Sequence, residues 1–200
     1  MQLPPFLPSD LEFLASLNDE RALFNQISSS PALMLRFLEV AADDPGWCEA
    51  YGNLINKLLR RLTDLFYTDL LDLKRAEQVA ELVHLKSSAL SSHLPLDMTL
   101  EVGGERLPCN SLMLAASSDY FNRLVRQMGE RHEKHLKLSK GDPESMRRLL
   151  DLIQKGAGEL LLKGKEELES SLHLAKMWQL NHLSLDLEER LASFITPDTA

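Results

Sequence analysis

Apolar residues in the first ninety positions recur at spacings of three and four, the period of a helix with one buried face. Leu11, Leu14 and Leu17, then Leu23, Phe24 and Ile27, draw the first such face. Ser9 with Glu12 three residues later forms a capping box, so this helix is expected to start near Asp10. Ser28-Ser29-Ser30 interrupts the pattern, and Pro31 suits a first helical position because its missing N–H costs nothing there. Leu33, Leu35, Phe37, Leu38 and Val40 follow, up to a turn signal at Asp43-Asp44-Pro45-Gly46. A longer helix is predicted from about Trp47 to about Leu71, striped by Leu54, Ile55, Leu58, Leu59, Leu62, Leu65 and Phe66. Ala76, Val79, Ala80, Leu82 and Val83 predict one more. No fixed-period repeat links these helices, which argues against a solenoid.

The period changes at Pro95. Met98 to Val102 alternates and contains β-formers, Gly103-Gly104 is a hairpin turn, and Glu105 to Cys109 is the returning strand. Leu112 to Ala115 opens a short buried helix, and Ser118 can cap the next, which carries Tyr120, Phe121, Leu124 and Val125. His135 to Leu138 reads as a third strand. Asp142 caps a helix with Pro143 at its first position, a core face from Met146 to Ile153, and Gly156 at its end. Leu160 to Leu162 reads as a fourth strand. Two helices complete the chain, one with Leu168, Leu172, Leu174, Ala175 and Trp178, the other with Leu183, Leu187, Leu191 and Ile195. The organisation expected is an α-helical region over 1–93 and an α+β domain over 94–200.

Composition narrows the function more than the fold. Of 200 residues, 44 % are hydrophobic and 26 % charged, enough for a sizeable core. Net charge is −8, and each half is acidic, so neither offers the basic excess of a nucleic-acid binder. Cys48 and Cys109 alone make neither a disulfide framework nor a zinc set, and two buried or half-buried free thiols are expected. The start, Met1-Gln2-Leu3-Pro4-Pro5-Phe6, is not a secretory signal, and no apolar run is long enough to span a bilayer. A soluble protein of the cytoplasm or nucleus is the expectation.

Candidate chemistry is sparse. His132-Glu133-Lys134-His135 places its histidines three apart where the zinc-protease motif needs four. Gly158 to Lys165 lacks phosphate-loop spacing, and Glu166 stands where Ser or Thr is needed. No nucleophile-elbow sequence frames any serine. No catalytic residue, cofactor or metal is therefore expected. Trp178 reads as core, Trp47 as core or exposed contact, and the stripe from Leu54 to Phe66 as internal core or a dimer surface.

The order hairpin, helix pair, strand, helix, strand, helix pair resembles the BTB/POZ fold. Asp97-Met98-Thr99-Leu100 resembles its opening strand. Leu107-Pro108-Cys109-Asn110, Leu112-Met113-Leu114-Ala115-Ala116 and Ser118-Asp119-Tyr120-Phe121 resemble its most recognisable stretch. Leu136-Lys137-Leu138, Leu149 to Ile153 with Gly156, and Leu172 to Ala175 with Leu180 match its later elements. The chain departs from the family pattern at Asn110, where His is usual, at Ser111, where a basic residue is usual, and at Gln154, where Tyr is common.

The resemblance implies a protein-interaction module. Many members form homodimers through a helix before the first strand, here near Lys74 to Ala89. Val79, Leu82, Val83, Met98 and Leu100 are the dimer-interface candidates it suggests. Many act as substrate adaptors of cullin-type ubiquitin ligases, and Met128-Gly129-Glu130 has the form of their docking pattern. Tyr120, Phe121, Leu124, Met128 and Glu130 are the corresponding protein-binding candidates. Because the chain stops at Ala200, the substrate reader of such an adaptor would be the N-terminal half. The rival readings are a BTB-type transcription regulator without its own DNA-binding module, and a small hydrolase.

Overall fold

A computed structural model of the protein describes residues 20–86, 88–128, 134–155 and 164–195. Within them the N-terminal half is helical: α1 (Glu20–Ile27), α2 (Pro31–Asp43), α3 (Pro45–Ala50), α4 (Gly52–Tyr67), α5 (Leu73–Lys86) and α6 (Ser88–Ser91). The C-terminal half follows as β1 (Met98–Val102), β2 (Glu105–Cys109), α7 (Ser111–Ser117), α8 (Asp119–Met128), β3 (His135–Leu138), α9 (Pro143–Lys155), α10 (Lys165–Met177) and α11 (Asn181–Ile195). The helix expected at Asp10, the strand at Leu160 to Leu162 and the stop at Gly156 fall outside the described residues. No described helix is long and apolar enough to cross a membrane.

One expectation needs correction. The long helix from Trp47 to Leu71 is two helices, and the second ends at Tyr67. Asp44 starts the first by accepting the Gly46 N–H at 2.8 Å. Tyr51 then leaves helical geometry, at φ −114° and ψ 22°. The break lets Trp47 and Tyr51 close on Phe37, with ring centres 5.2 to 6.2 Å apart. It also brings the backbone at Gly52 so near the His93 ring that a Cβ would lie 2.7 Å from it. Aromatic packing between helices outweighs the continuation of one regular helix, and Gly52 lowers the cost of interrupting it.

The sheet has three described strands in the order β2-β1-β3. β1 and β2 are antiparallel, with Leu100 opposite Leu107 and Val102 opposite Glu105. The turn between them puts Gly103 and Gly104 at φ 58° and 88°, the positive pair that a tight hairpin of this hand requires. β3 runs parallel to β1, with Leu100 opposite Leu136. That direction needs a crossover, which α7 and α8 supply. In β1, Met98, Leu100 and Val102 are buried while Thr99 and Glu101 are half-buried, so the alternation seen in the sequence sets the core side.

One hydrophobic core runs unbroken from the N-terminal helices into the sheet and α7 to α11. The stripe from Leu54 to Phe66 is buried inside the chain. α5 packs against α2, α7 and α9. Trp178 is also buried, whereas Trp47 is half-buried.

Local caps work as the residue types dictate. Ser118 Oγ accepts the N–H groups of Tyr120 and Phe121 at 3.2 and 3.3 Å and donates to the Trp178 carbonyl at 2.6 Å, which ties α8 to the end of α10. Asp142 accepts the Ser145 N–H at 2.8 Å. That bond, foremost, holds the Asp142 carboxyl below the usual carboxylate range. A carboxyl depressed in the folded state stabilises above its unfolded pKa, and the contribution fades as pH falls through the folded value. Asp142→Ala is therefore expected to cost about 1 kcal/mol near neutral pH, with the difference shrinking below about pH 4. Urea unfolding of both forms across that range checks it.

Candidate protein-interaction site

α8 presents two different faces. Phe121 and Val125 are completely buried, and Met128 is 8 % exposed. Tyr120 and Leu124, one turn apart, are half-buried, with Arg123 and Gln127 exposed beside them. Tyr120 and Phe121 meet each other and Trp178 with ring centres 5.1 to 5.9 Å apart. Among the protein-binding candidates, then, Tyr120 and Leu124 reach the surface together, Phe121 and Met128 belong to the core, and Glu130 lies outside the described residues.

The dimer-interface candidates divide similarly. Val79, Val83, Met98 and Leu100 are each at most 2 % exposed within the single chain. Leu82 is half-buried. It lines a groove of about 410 Å³ between α2 and α5, together with Leu35, Arg36, Glu39, Arg75 and Glu81. Arg36 is bonded to Glu39 on one wall, and Arg75 to Asp72 at 2.8 Å on the other.

A polar network is centred on Asp97, whose side chain is 17 % exposed. Ser111 donates twice to its carboxylate, from the backbone N–H at 2.9 Å and from Oγ at 2.6 Å. The Tyr67 hydroxyl donates at 3.1 Å from the end of α4, and the Lys134 ammonium stands at 3.6 Å, just before β3. Asn110 caps α7 by accepting the Met113 N–H at 2.9 Å, and its amide nitrogen donates to the Pro95 carbonyl at 2.8 Å. The Asn110 backbone N–H in turn donates to Gln154 Oε1 on α9 at 3.1 Å. Asn110, Ser111 and Gln154 are thus three members of one network. Ser111 serves Asp97 with two neutral donors, and a cation arrives from the sequence-distant Lys134.

Sequence reasoning placed Asp97 only as the start of a strand and missed Tyr67 and Lys134. A carboxylate directly ahead of an apolar strand was the available signal, since such a group enters the core edge and needs donors. Its partners lie 14 to 37 positions away and leave no local trace.

The network is built for structure rather than bond-making. Burial first, and then the Asp97 charge, push the Tyr67 hydroxyl and the Cys109 thiol far above their ordinary pKa values. Both stay protonated, so neither is a nucleophile at neutral pH. Among the described residues, no three His, Cys, Asp or Glu side chains are grouped to hold a metal ion. His135 Nε2 lies 3.3 Å from Glu101, and Lys137 Nζ lies 2.8 Å from the same carboxylate. That arrangement ties β3 to β1.

The family model of the BTB/POZ domain matches residues 85–194. No curated protein matches the chain.

Asn110→Ala would remove the α7 cap and leave the buried Met113 N–H and the Pro95 carbonyl without these partners. The expected loss is about 2 to 3 kcal/mol, measurable by urea unfolding of the full chain.

Proposed function

Because the chain belongs to the BTB/POZ domain family, we propose that it is an adaptor or scaffold that binds other proteins and itself rather than an enzyme. The carrying observation is the family match over residues 85–194, the stretch that contains the β1–β2 hairpin, α7 to α10 and nearly all of α11. A BTB/POZ domain is a protein-interaction module, and α8 offers what such a module needs. Tyr120 and Leu124 expose apolar surface beside the polar ends of Arg123 and Gln127, while Phe121 and Val125 anchor the helix from behind. A rigid support under a partly apolar face reduces the ordering cost of binding.

Homodimerisation belongs to the same reading. Leu82 is the dimer candidate with surface to offer, and the groove it lines carries both signs of charge, so two copies could meet without like charges opposed. Light scattering after size exclusion is expected to give twice the chain mass at high micromolar concentration, and Leu82→Arg to shift it toward monomer. A strict monomer for the parent would sink the dimer.

Docking to a cullin-type ubiquitin ligase through Met128 and Glu130 is the finer reading. Met128 closes α8 with its thioether almost enclosed, so it would support the docking surface more than cover it. The expected result is binding to a cullin N-terminal region that weakens at least about tenfold in Met128→Ala with Glu130→Ala. Absence of binding by the parent, or binding that the double substitution leaves unchanged, rejects this contact.

A further inference from the structure

The last turn of α4 holds two separate elements of the C-terminal half at once. Asp69 follows that helix in the left-handed region, at φ 57°, where glycine is the usual residue. An aspartate there accepts backbone strain, and its carboxylate pairs with the Arg126 guanidinium on α8. The same guanidinium donates to the Leu71 carbonyl at 3.4 Å and sits 4.4 Å from the centre of the Phe66 ring. One residue further along α4, the Tyr67 ring has the Lys134 ammonium 3.4 Å from its centre, and its hydroxyl donates to Asp97 at 3.1 Å. Arg126 lies in the last turn of α8 and Lys134 directly precedes β3.

The ion pair alone would be a weak grip, because Asp69 is 74 % exposed. Two cations resting on two adjacent aromatic rings, with a hydroxyl-to-carboxylate bond beside them, make a stronger one. These contacts join the N-terminal helices to the element whose other face carries Tyr120 and Leu124.

We propose that the end of α4 is a latch on α8 and on the start of β3 that holds the α8 binding face in place. The second half of that statement rests on the reading of α8 as a binding face.

The test opens the latch without unfolding the helix that carries it. Arg126→Gln and Lys134→Gln remove the two cations and leave both rings and the Tyr67 hydroxyl in place. Both are made together in the full chain, and amide hydrogen exchange is followed by mass spectrometry. The expected result is about tenfold faster exchange in residues 119–128 and 134–138, with α10 and α11 within about twofold of the parent. Unchanged exchange in α8, or an equal acceleration in α10 and α11, overturns the latch. The measurement needs no partner, so failure to dimerise or to bind a cullin fragment would leave its outcome standing.

Discussion

A carboxylate withdrawn most of the way from water has to find its partners within the protein, and Asp97 is where that obligation organises the structure. A partly buried charge left unpaired costs several kcal/mol. Here the donors come from α4, from the start of α7 and from the residue ahead of β3, three places that are far apart in the chain. Satisfying one group therefore fixes the relative position of the helical layer, the hairpin and the crossover. Asn110 and Gln154 extend the same constraint to α7 and α9.

The second organising feature is α5, which packs against α2, α7 and α9. Val79 and Val83 on it are buried, and Leu82 stands on the wall of the groove it forms with α2. The N-terminal helices thus share a core with the BTB/POZ domain rather than standing apart from it. A partner meeting the helix ahead of the first strand would meet it through α2 as well.

On α8 the same division between core and surface has functional weight. Helical spacing puts Phe121, Val125 and Met128 on the inner face and Tyr120 with Leu124 at its margin. The residues best suited to recognition are those that the core leaves partly open. Their support comes from Trp178 behind Tyr120, and from the Ser118 bond that ties the start of α8 to the end of α10.

The sequence by itself determined many of the features that depend on short range. The helical period of α2, α4 and α5, the alternation of β1, the Gly103-Gly104 turn and the caps at Ser118 and Asp142 could all be read from neighbours within a few positions, and the BTB/POZ resemblance from the order of such pieces. Periodicity says that one face of a helix is buried, but it does not name what buries it. Only the tertiary structure decided that α4 is separated from α3 at Tyr51, where Phe37 and Trp47 close around the break. It also decided that the stripe from Leu54 to Phe66 is internal and that Phe121 is core while Tyr120 is not. The partners of Asp97 belong to the same class, because the pairing of Tyr67, Ser111 and Lys134 around one carboxylate exists only once distant segments have packed.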